Sequence, residues 1–258
     1  MSNIEFLLIL FFINSVVMMG IILRCVKRKS PRAFLRFLFL PVLLSLLSGW
    51  FIQFYAQISE ISSRQILGNL LLMIWVFKSF NSHKSSKAIL LEEFLKSIRL
   101  AISDKRFFKI IGLILRISFF QFICFGSAFS MNYLSGYSAL NLIDLFGLIL
   151  CITGMLIEVI SEKEIRNNVS KTTLFISTGP WAYSRHPDLL GLLLFFLGLQ
   201  ILSLGAVGSE WSIIGFLVFV YIIYGKLAPK IEHKIASNSP EYISYRESVP
   251  KLFTIYKK

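Results

Sequence analysis

The chain has 258 residues, of which 55% are hydrophobic and 15% aromatic, and its formal net charge is +13. A mean hydropathy of +0.71 lies well above that of soluble domains, so the composition excludes an ordinary soluble enzyme. Such a charge would suit nucleic-acid binding in a soluble protein, but the sequence contains no recognisable nucleic-acid module. The charge is better explained by membrane topology and by attraction to anionic lipid.

Seven apolar stretches follow one another along the chain, and most are long enough to cross a bilayer as a helix. The short loops between them leave little room for a soluble domain. We therefore predict an all-α fold, a polytopic transmembrane helix bundle of about seven spans that forms one integral membrane domain over residues 1–258. The predicted spans are 5–23, 36–57, 65–80, 109–132, 139–160, 188–206 and 211–226.

The basic residues are distributed unevenly among the loops between these stretches. Six lie between the first two stretches, eight lie between the third and fourth, and seven follow the last, whereas the alternate loops contain only Arg64. Because cytoplasmic loops carry an excess of Lys and Arg, this pattern predicts an N-terminus outside and a C-terminus in the cytoplasm. A multi-pass protein of a bacterial-type inner membrane fits this charge distribution.

The cysteines and histidines show no metal-site pattern. The cysteines lack CxxC spacing and lie in or beside spans, which favours small buried apolar residues, and the histidines lack zinc-ligand spacing. No GxGxxG run follows a strand, so a Rossmann site is not expected. The residues concerned are Cys25, Cys124, Cys151, His83, His186 and His233.

Three runs in the second half of the chain share a pattern with a known superfamily. They are residues 154–164 (GMLIEVISEKE), residues 179–191 (GPWAYSRHPDLLG), and EHKI at 232–235 followed by PEYISYRESVPKLF at 240–253. Together with the span pattern, these runs resemble the steroid 5-alpha-reductase-like integral membrane superfamily over residues 65–258. The resemblance is strongest to its bacterial reductase-like branch, and isoprenylcysteine carboxyl methyltransferases are distant relatives.

The resemblance implies an oxidoreductase that acts on a CH–CH donor with NADPH. The expected reaction is reduction of a C=C bond in a lipophilic enone that is steroid-like or isoprenoid-like. Such chemistry needs a hydride donor beside the β-carbon and a group that polarises the carbonyl as negative charge develops. The implied partners are this lipophilic small molecule and membrane lipids, and neither nucleic acid nor a protein partner is implied.

The motifs and the topology together give candidate site residues. Cations are expected at the cytosolic mouth because the cofactor carries phosphates. Polar side chains in the same motifs are expected to bond its ribose or amide groups. The candidates are Arg185, His186, Asp188, Lys226, Tyr242 and Arg246 for the cofactor, Tyr183 and Glu158 for catalysis, and Gln53 and Tyr55 for the substrate; none is a metal ligand.

Two positions depart from the superfamily pattern, and they keep other functions open. Asp188 stands where the pattern has an Asn near the nicotinamide cofactor, and Leu192 stands where it has a Glu on the substrate side. One alternative is a methyltransferase of the isoprenylcysteine type that uses S-adenosylmethionine. The other is a degenerate, non-enzymatic lipid-binding relative.

Some of these residues also have purely structural interpretations. Glu158 could pair with Arg116 on the preceding span, and Asp188 suits the first turn of a helix, where a carboxylate is favourable to the helix dipole. Gly191, Gly198 and Gly205 recur every seven residues, which places them on one helix face. This spacing predicts close packing of that helix against a neighbour.

Overall fold

A computed structural model of the protein describes residues 9, 11–17, 19–20, 47, 50, 62–81, 100, 107–133, 139–168, 175–206 and 208–252. Within these ranges the chain forms helices and turns and no strand, in agreement with the predicted all-α fold. The helices are α1 (Ser63–Asn81), α2 (Phe107–Cys124), α3 (Gly126–Tyr133), α4 (Leu142–Asn168), α5 (Pro187–Ser203), α6 (Ser212–Tyr221), α7 (Ala228–Ala236) and α8 (Tyr242–Ser248). A 3₁₀ turn (Gly179–Ala182) precedes α5, and a π-helical segment (Ile222–Leu227) joins α6 to α7.

Two helices of the described chain are long and apolar enough to cross a membrane. They are α4 and the continuous helix Ser212–Ala236, and α2 and α3 together would make a third, although the pair is bent by 61°. Helix α5 is apolar but shorter. These helices indicate a membrane protein. The predicted spans 5–23 and 36–57 lie largely outside the described residues, within which residues 11–17 are helical.

Two helices extend beyond the predicted spans. Helix α4 continues to Asn168, and the last helix continues through the π-helical segment to Ala236 instead of ending at residue 226. The extension over α7 is explained by its amphipathic pattern, since Ala228, Ile231 and Glu232 are buried while Lys230, His233 and Lys234 are exposed. An apolar stretch alone therefore does not show where its helix ends.

The predicted fourth span is broken between α2 and α3. The break falls at Phe125, and the next residue, Gly126, faces the ring of Trp211. A Cβ at Gly126 would lie 2.9 Å from the Trp211 ring, so a larger residue would displace the indole. The bend and the glycine thus let the loop before α6 pack closely against α3.

Backbone contact between α4 and α5 forms the centre of the bundle. A Cβ at Gly154 would lie 2.5 Å from the carbonyl oxygen of Gly191, and one at Gly198 would lie 2.5 Å from the carbonyl oxygen of Gly147. The glycines allow the two backbones to touch, as in small-residue helix interfaces of membrane proteins. The predicted close packing of the Gly191 and Gly198 face is confirmed, and Gly205 extends it by accommodating the guanidinium of Arg64.

A buried ion pair joins two helices and the turn after α5 at one end of this interface. Arg64 in α1 is fully buried, and its Nε and Nη2 atoms lie 2.8 and 2.7 Å from the two carboxylate oxygens of Asp144 in α4. Its Nη1 donates to the carbonyl oxygen of Gly205, just beyond α5, at 3.1 Å. The one basic residue of the predicted outer loops is therefore a structural residue, which explains why it departs from the charge pattern.

Aromatic stacking fixes α1 against α5 further along the bundle. Trp75 is buried, its ring is stacked on Phe195 at 5.2 Å between centroids, and it meets Phe196 edge-on at 5.5 Å. Offset and edge-on aromatic pairs add about 0.5–1.5 kcal/mol each beyond the area they bury. This packing brings the indole nitrogen of Trp75 to α4, where it meets Glu158.

We predict that Gly154→Ala destabilises the protein by about 1–3 kcal/mol, because the new methyl group would collide with the α5 backbone. Thermal unfolding in detergent measures the loss. The matched control is Gly112→Ala in α2, where a Cβ meets no atom within 4 Å. That variant should be neutral or gain about 0.5–1 kcal/mol from helix propensity. Equal effects of the two substitutions would contradict the close-packing interpretation.

We also predict that Asp144→Asn costs about 3–5 kcal/mol, because it leaves the buried Arg64 guanidinium without its counter-charge. The double variant Arg64→Met with Asp144→Leu should be more stable than either single variant Arg64→Met or Asp144→Leu, since it buries no unpaired charge. Unfolding free energies from a double-mutant cycle test this. If the losses of unfolding free energy in the two single variants add up to the loss in the double variant, Arg64 and Asp144 do not stabilise each other.

Candidate functional site

Three groups converge on one buried carboxylate at the end of the bundle opposite the Arg64–Asp144 pair. Glu232 in α7 is only 5% exposed. Its oxygens lie 2.9 Å from Arg185 Nη1, 3.1 Å from His186 Nε2 and 3.6 Å from Arg246 Nε. The carboxylate therefore connects the segment before α5, helix α7 and helix α8, and it brings together residues from two of the motif runs.

The 3₁₀ turn before α5 is held between α4 and α8. Gly179 begins it with φ of 60°, in the left-handed region that favours glycine. The indole nitrogen of Trp181 donates to the carbonyl oxygen of Ser161 at 3.4 Å, and the hydroxyl of Tyr245 donates to the carbonyl oxygen of Trp181 at 2.5 Å. These bonds fix the turn on both sides and thereby set the position of Arg185.

The C-terminal segment closes over the same residues. The backbone N–H of Arg185 donates to the carbonyl oxygen of Pro250 at 2.9 Å, and the hydroxyl of Ser184 donates to that of Lys251 at 3.3 Å. The ammonium of Lys251 donates to the carbonyl oxygen of Tyr224 at 2.7 Å. Residues 184–186 are therefore covered by the segment that follows α8, and Lys251 joins the site.

The described site holds more positive than negative charge. Burial lowers the pKa of Lys251, Arg185 and Arg246 lower it further, and Glu232 opposes them. Two arginines thus contact the carboxylate of Glu232, and Lys251 interacts with it electrostatically. The Arg185 side chain is 12% exposed and that of Arg246 is 57% exposed, so the cations line a path from the surface to the buried Glu232. Such an arrangement suits an anion with several charges.

Tyr242 and Tyr245 form an aromatic wall beside these charges. Tyr242 is 2% exposed, and burial together with the charge of Glu232 raises its pKa to about 12. Its hydroxyl therefore stays protonated at physiological pH and can donate a hydrogen bond. The ring of Phe175 meets Tyr242 at 5.4 Å and Tyr245 at 5.3 Å between centroids. The wall offers flat apolar surface next to the cations.

A second polar group lies inside the bundle, where α1 meets α4. Glu158 is 1% exposed, and its Oε2 accepts a hydrogen bond from the indole nitrogen of Trp75 at 3.1 Å. The ammonium of Lys78 lies 2.9 Å from Glu158 Oε2 and 3.1 Å from Glu162 Oε1. The possible Arg116–Glu158 pair is not formed: Arg116 is exposed, and the cation beside Glu158 is Lys78 of α1.

The remaining candidate residues differ in their exposure. Asp188 is fully buried in the first turn of α5, as its structural interpretation predicts. Tyr183 is 72% exposed, and Lys226 is exposed with its ammonium 5.7 Å above the ring of Tyr221, so neither joins the charged site. The substrate candidates Gln53 and Tyr55 lie outside the described residues. The described part of the chain contains no group of three or more His, Cys, Asp or Glu residues that could hold a metal ion.

The sequence patterns indicated no functional role for Glu232 or Lys78, around which these two groups of side chains are arranged. For Glu232 a signal existed, because it follows Ala228 by one helical turn and so shares the apolar face of an amphipathic helix. A carboxylate on such a face requires a buried partner. For Lys78 no comparable signal existed, since its position at the end of α1 also suits an exposed lysine.

Comparison with known proteins gave one match. Neither the curated proteins nor the solved structures yielded a match to the chain. A family described as "Protein of unknown function (DUF1295)" matches residues 49–249, which include every described helix from α1 to α8. Because this match covers most of the 258 residues, the chain belongs to the DUF1295 family.

Proposed function

We propose that the protein is a membrane-bound, NADPH-dependent reductase of a C=C bond in a lipophilic, steroid-like or isoprenoid-like enone. The observation that carries the proposal is the meeting of Arg185, His186 and Arg246 at the buried Glu232. Residues that the resemblance to steroid 5-alpha-reductase-like proteins assigns to the cofactor, although distant in sequence, thus lie in one site.

The excess of cations favours a phosphate-bearing cofactor. NADPH carries a pyrophosphate and a further phosphate, whereas S-adenosylmethionine carries one carboxylate and no phosphate. Arg185 and Arg246 both contact the carboxylate of Glu232, and Lys251 interacts with the same carboxylate electrostatically, so we infer that the site retains positive charge for a polyanion. Arg246 and Lys251 would hold the phosphates near the surface. Arg185, His186 and Tyr242 would bond the parts that lie deeper.

When bound, NADPH supplies the hydride, and the protein must polarise the carbonyl that accumulates negative charge. The residue at the position of the superfamily's acid is Leu192, which packs in the apolar core. Glu158 lies at the same level of the bundle as Leu192. Its backbone nitrogen would be 2.8 Å from a Cβ placed on Gly191, the residue before Leu192. Trp75 and Lys78 both contact Glu158 Oε2. We propose that Glu158 supplies the acid from α4 instead of α5, through a proton carried on Oε1.

We infer seven spans with the N-terminus outside and the site of Glu232 on the cytoplasmic side of a bacterial-type inner membrane. The two polar ends of the bundle support this orientation. The basic residues around Glu232 lie at one end, and the buried pair of Arg64 and Asp144 lies at the other, which agrees with the uneven charge of the loops.

We predict that the purified protein in detergent binds NADPH and that Arg185→Ala weakens this binding at least ten-fold, because a charge-assisted contact to the cofactor is lost. Isothermal titration calorimetry measures both dissociation constants. The matched control is Lys226→Ala. It removes a positive charge from the same end of the bundle, but the ammonium of Lys226 lies over the ring of Tyr221 and does not contact Glu232. This control should bind NADPH within about two-fold of the wild type.

Three other outcomes would contradict the proposal, and each indicates another function. Binding of S-adenosylmethionine without NADPH would indicate the methyltransferase alternative. Binding of neither by a folded sample would indicate the non-enzymatic, lipid-binding alternative. Equal losses in Arg185→Ala and Lys226→Ala would show that NADPH responds to general charge and not to the site at Glu232.

We further predict that Glu158→Gln retains NADPH binding but lowers turnover at least ten-fold, because the variant loses the proposed acid. NADPH oxidation measured with a panel of lipophilic enones tests this. The matched control is Glu162→Gln, which removes the other carboxylate that contacts Lys78. If both variants lose the same activity, Glu158 acts only through its ion pair with Lys78.

A further inference from the structure

The π-helical segment between α6 and α7 aligns two exposed side chains that a regular helix would separate. Lys226 follows Tyr221 by five positions, which would place the two side chains roughly 140° apart around an α-helix. In a π-helix the backbone bonds join residues five apart, and the segment Ile222–Leu227 has this geometry. The ammonium of Lys226 accordingly lies 5.7 Å from the centroid of the Tyr221 ring. Both side chains therefore lie on the same side of the helix.

The burial of the neighbouring residues shows two opposite sides along the whole helix Ser212–Ala236. On the inner side, Ile223, Leu227 and Ile231 follow one another at four-residue intervals, and all three are buried. The outer side carries exposed residues spaced three to five positions apart, here called the outer stripe: Ile214, Leu217, Tyr221, Lys226 and Lys230. The outer stripe thus continues from α6 through the π-helical segment into α7.

The outer stripe changes in chemistry along its length. It begins with aliphatic side chains in the most apolar part of the helix, continues with the tyrosine and ends with the two lysines. One leaflet of a bilayer has the same order, since hydrocarbon is followed by the interface that favours tyrosine and then by the charged headgroups. A phospholipid that lies along this side of the helix would meet a matching residue type at each level.

The positive charge of the outer stripe is not neutralised by an acidic residue on the same side of the helix. Helix Ser212–Ala236 contains one acidic residue, Glu232, which is buried and paired with Arg185. Lys226 and Lys230 are four positions apart, or about 6 Å along the axis, so their flexible side chains can reach one headgroup together. Two lysines beside an apolar surface favour a lipid whose headgroup carries net negative charge.

We propose that the outer stripe is a binding site for one anionic phospholipid. Lys226 and Lys230 contact its phosphate, and its acyl chains lie along Tyr221, Leu217 and Ile214. The site excludes the residues that contact Glu232, and the proposal does not depend on the reductase proposal.

The test compares dioleoyl phosphatidylglycerol with dioleoyl phosphatidylcholine, which has the same chains but no net charge. Each lipid is titrated into the purified full-length protein in detergent, and the rise in melting temperature gives an apparent affinity. We expect the wild type to bind phosphatidylglycerol more tightly than phosphatidylcholine. The double variant Lys226→Gln with Lys230→Gln should bind phosphatidylglycerol about ten-fold more weakly, because both phosphate contacts are lost.

The matched control is the double variant Lys163→Gln with Arg166→Gln. It removes the same charge from exposed positions of α4 at the same end of the bundle, and it should bind phosphatidylglycerol within about two-fold of the wild type. Equal weakening in the two double variants, or equal affinity of the wild type for the two lipids, would overturn the proposal. Displacement of phosphatidylglycerol by an equal concentration of glycerophosphoglycerol, its headgroup without chains, would also overturn it, since the site would then bind a free anion.

Discussion

The backbone contact between α4 and α5 determines where the other parts of the protein can lie. Gly154 faces Gly191 and Gly147 faces Gly198 at distances that no larger residue allows. Helix α4 therefore carries Glu158 along the side of α5, while the start of α5 carries Arg185 and His186 to Glu232. The glycine contact therefore sets the distance from Glu158 in α4 to Arg185 and His186 at the start of α5.

The sequence predicted features that depend on local patterns. The seven-residue spacing of Gly191 and Gly198 indicated a close helix contact, and the position of Asp188 indicated a helix start; the structure confirms both. It did not reveal which helices are neighbours. The pairs Arg64–Asp144 and Lys78–Glu158 join residues 80 positions apart. Hydrophobic periodicity shows which face of a helix is buried, but not what that face meets.

Two of the candidate residues, Tyr183 and Lys226, are exposed for a related physical reason. Charge distribution and motif position place both residues at the end of the bundle that holds Glu232, but neither signal contains the direction of a side chain. Tyr183 lies between Trp181 and Arg185, which point into the protein, yet a turn directs successive side chains to different sides, and Tyr183 is exposed. Lys226 sits in the π-helical segment, which shifts the helix faces relative to a regular helix.

Several buried polar groups of the bundle join helices that are far apart in the sequence. Asn132 and Arg64 bond partners on other helices, and such groups hold helices together because lipid offers no competing hydrogen bonds. Glu158 and Glu232 are likewise held by cations from other segments, Lys78 in α1 and Arg185 before α5. Because a buried charge that loses its partner is strongly destabilising, these pairs also specify which segments can lie next to each other.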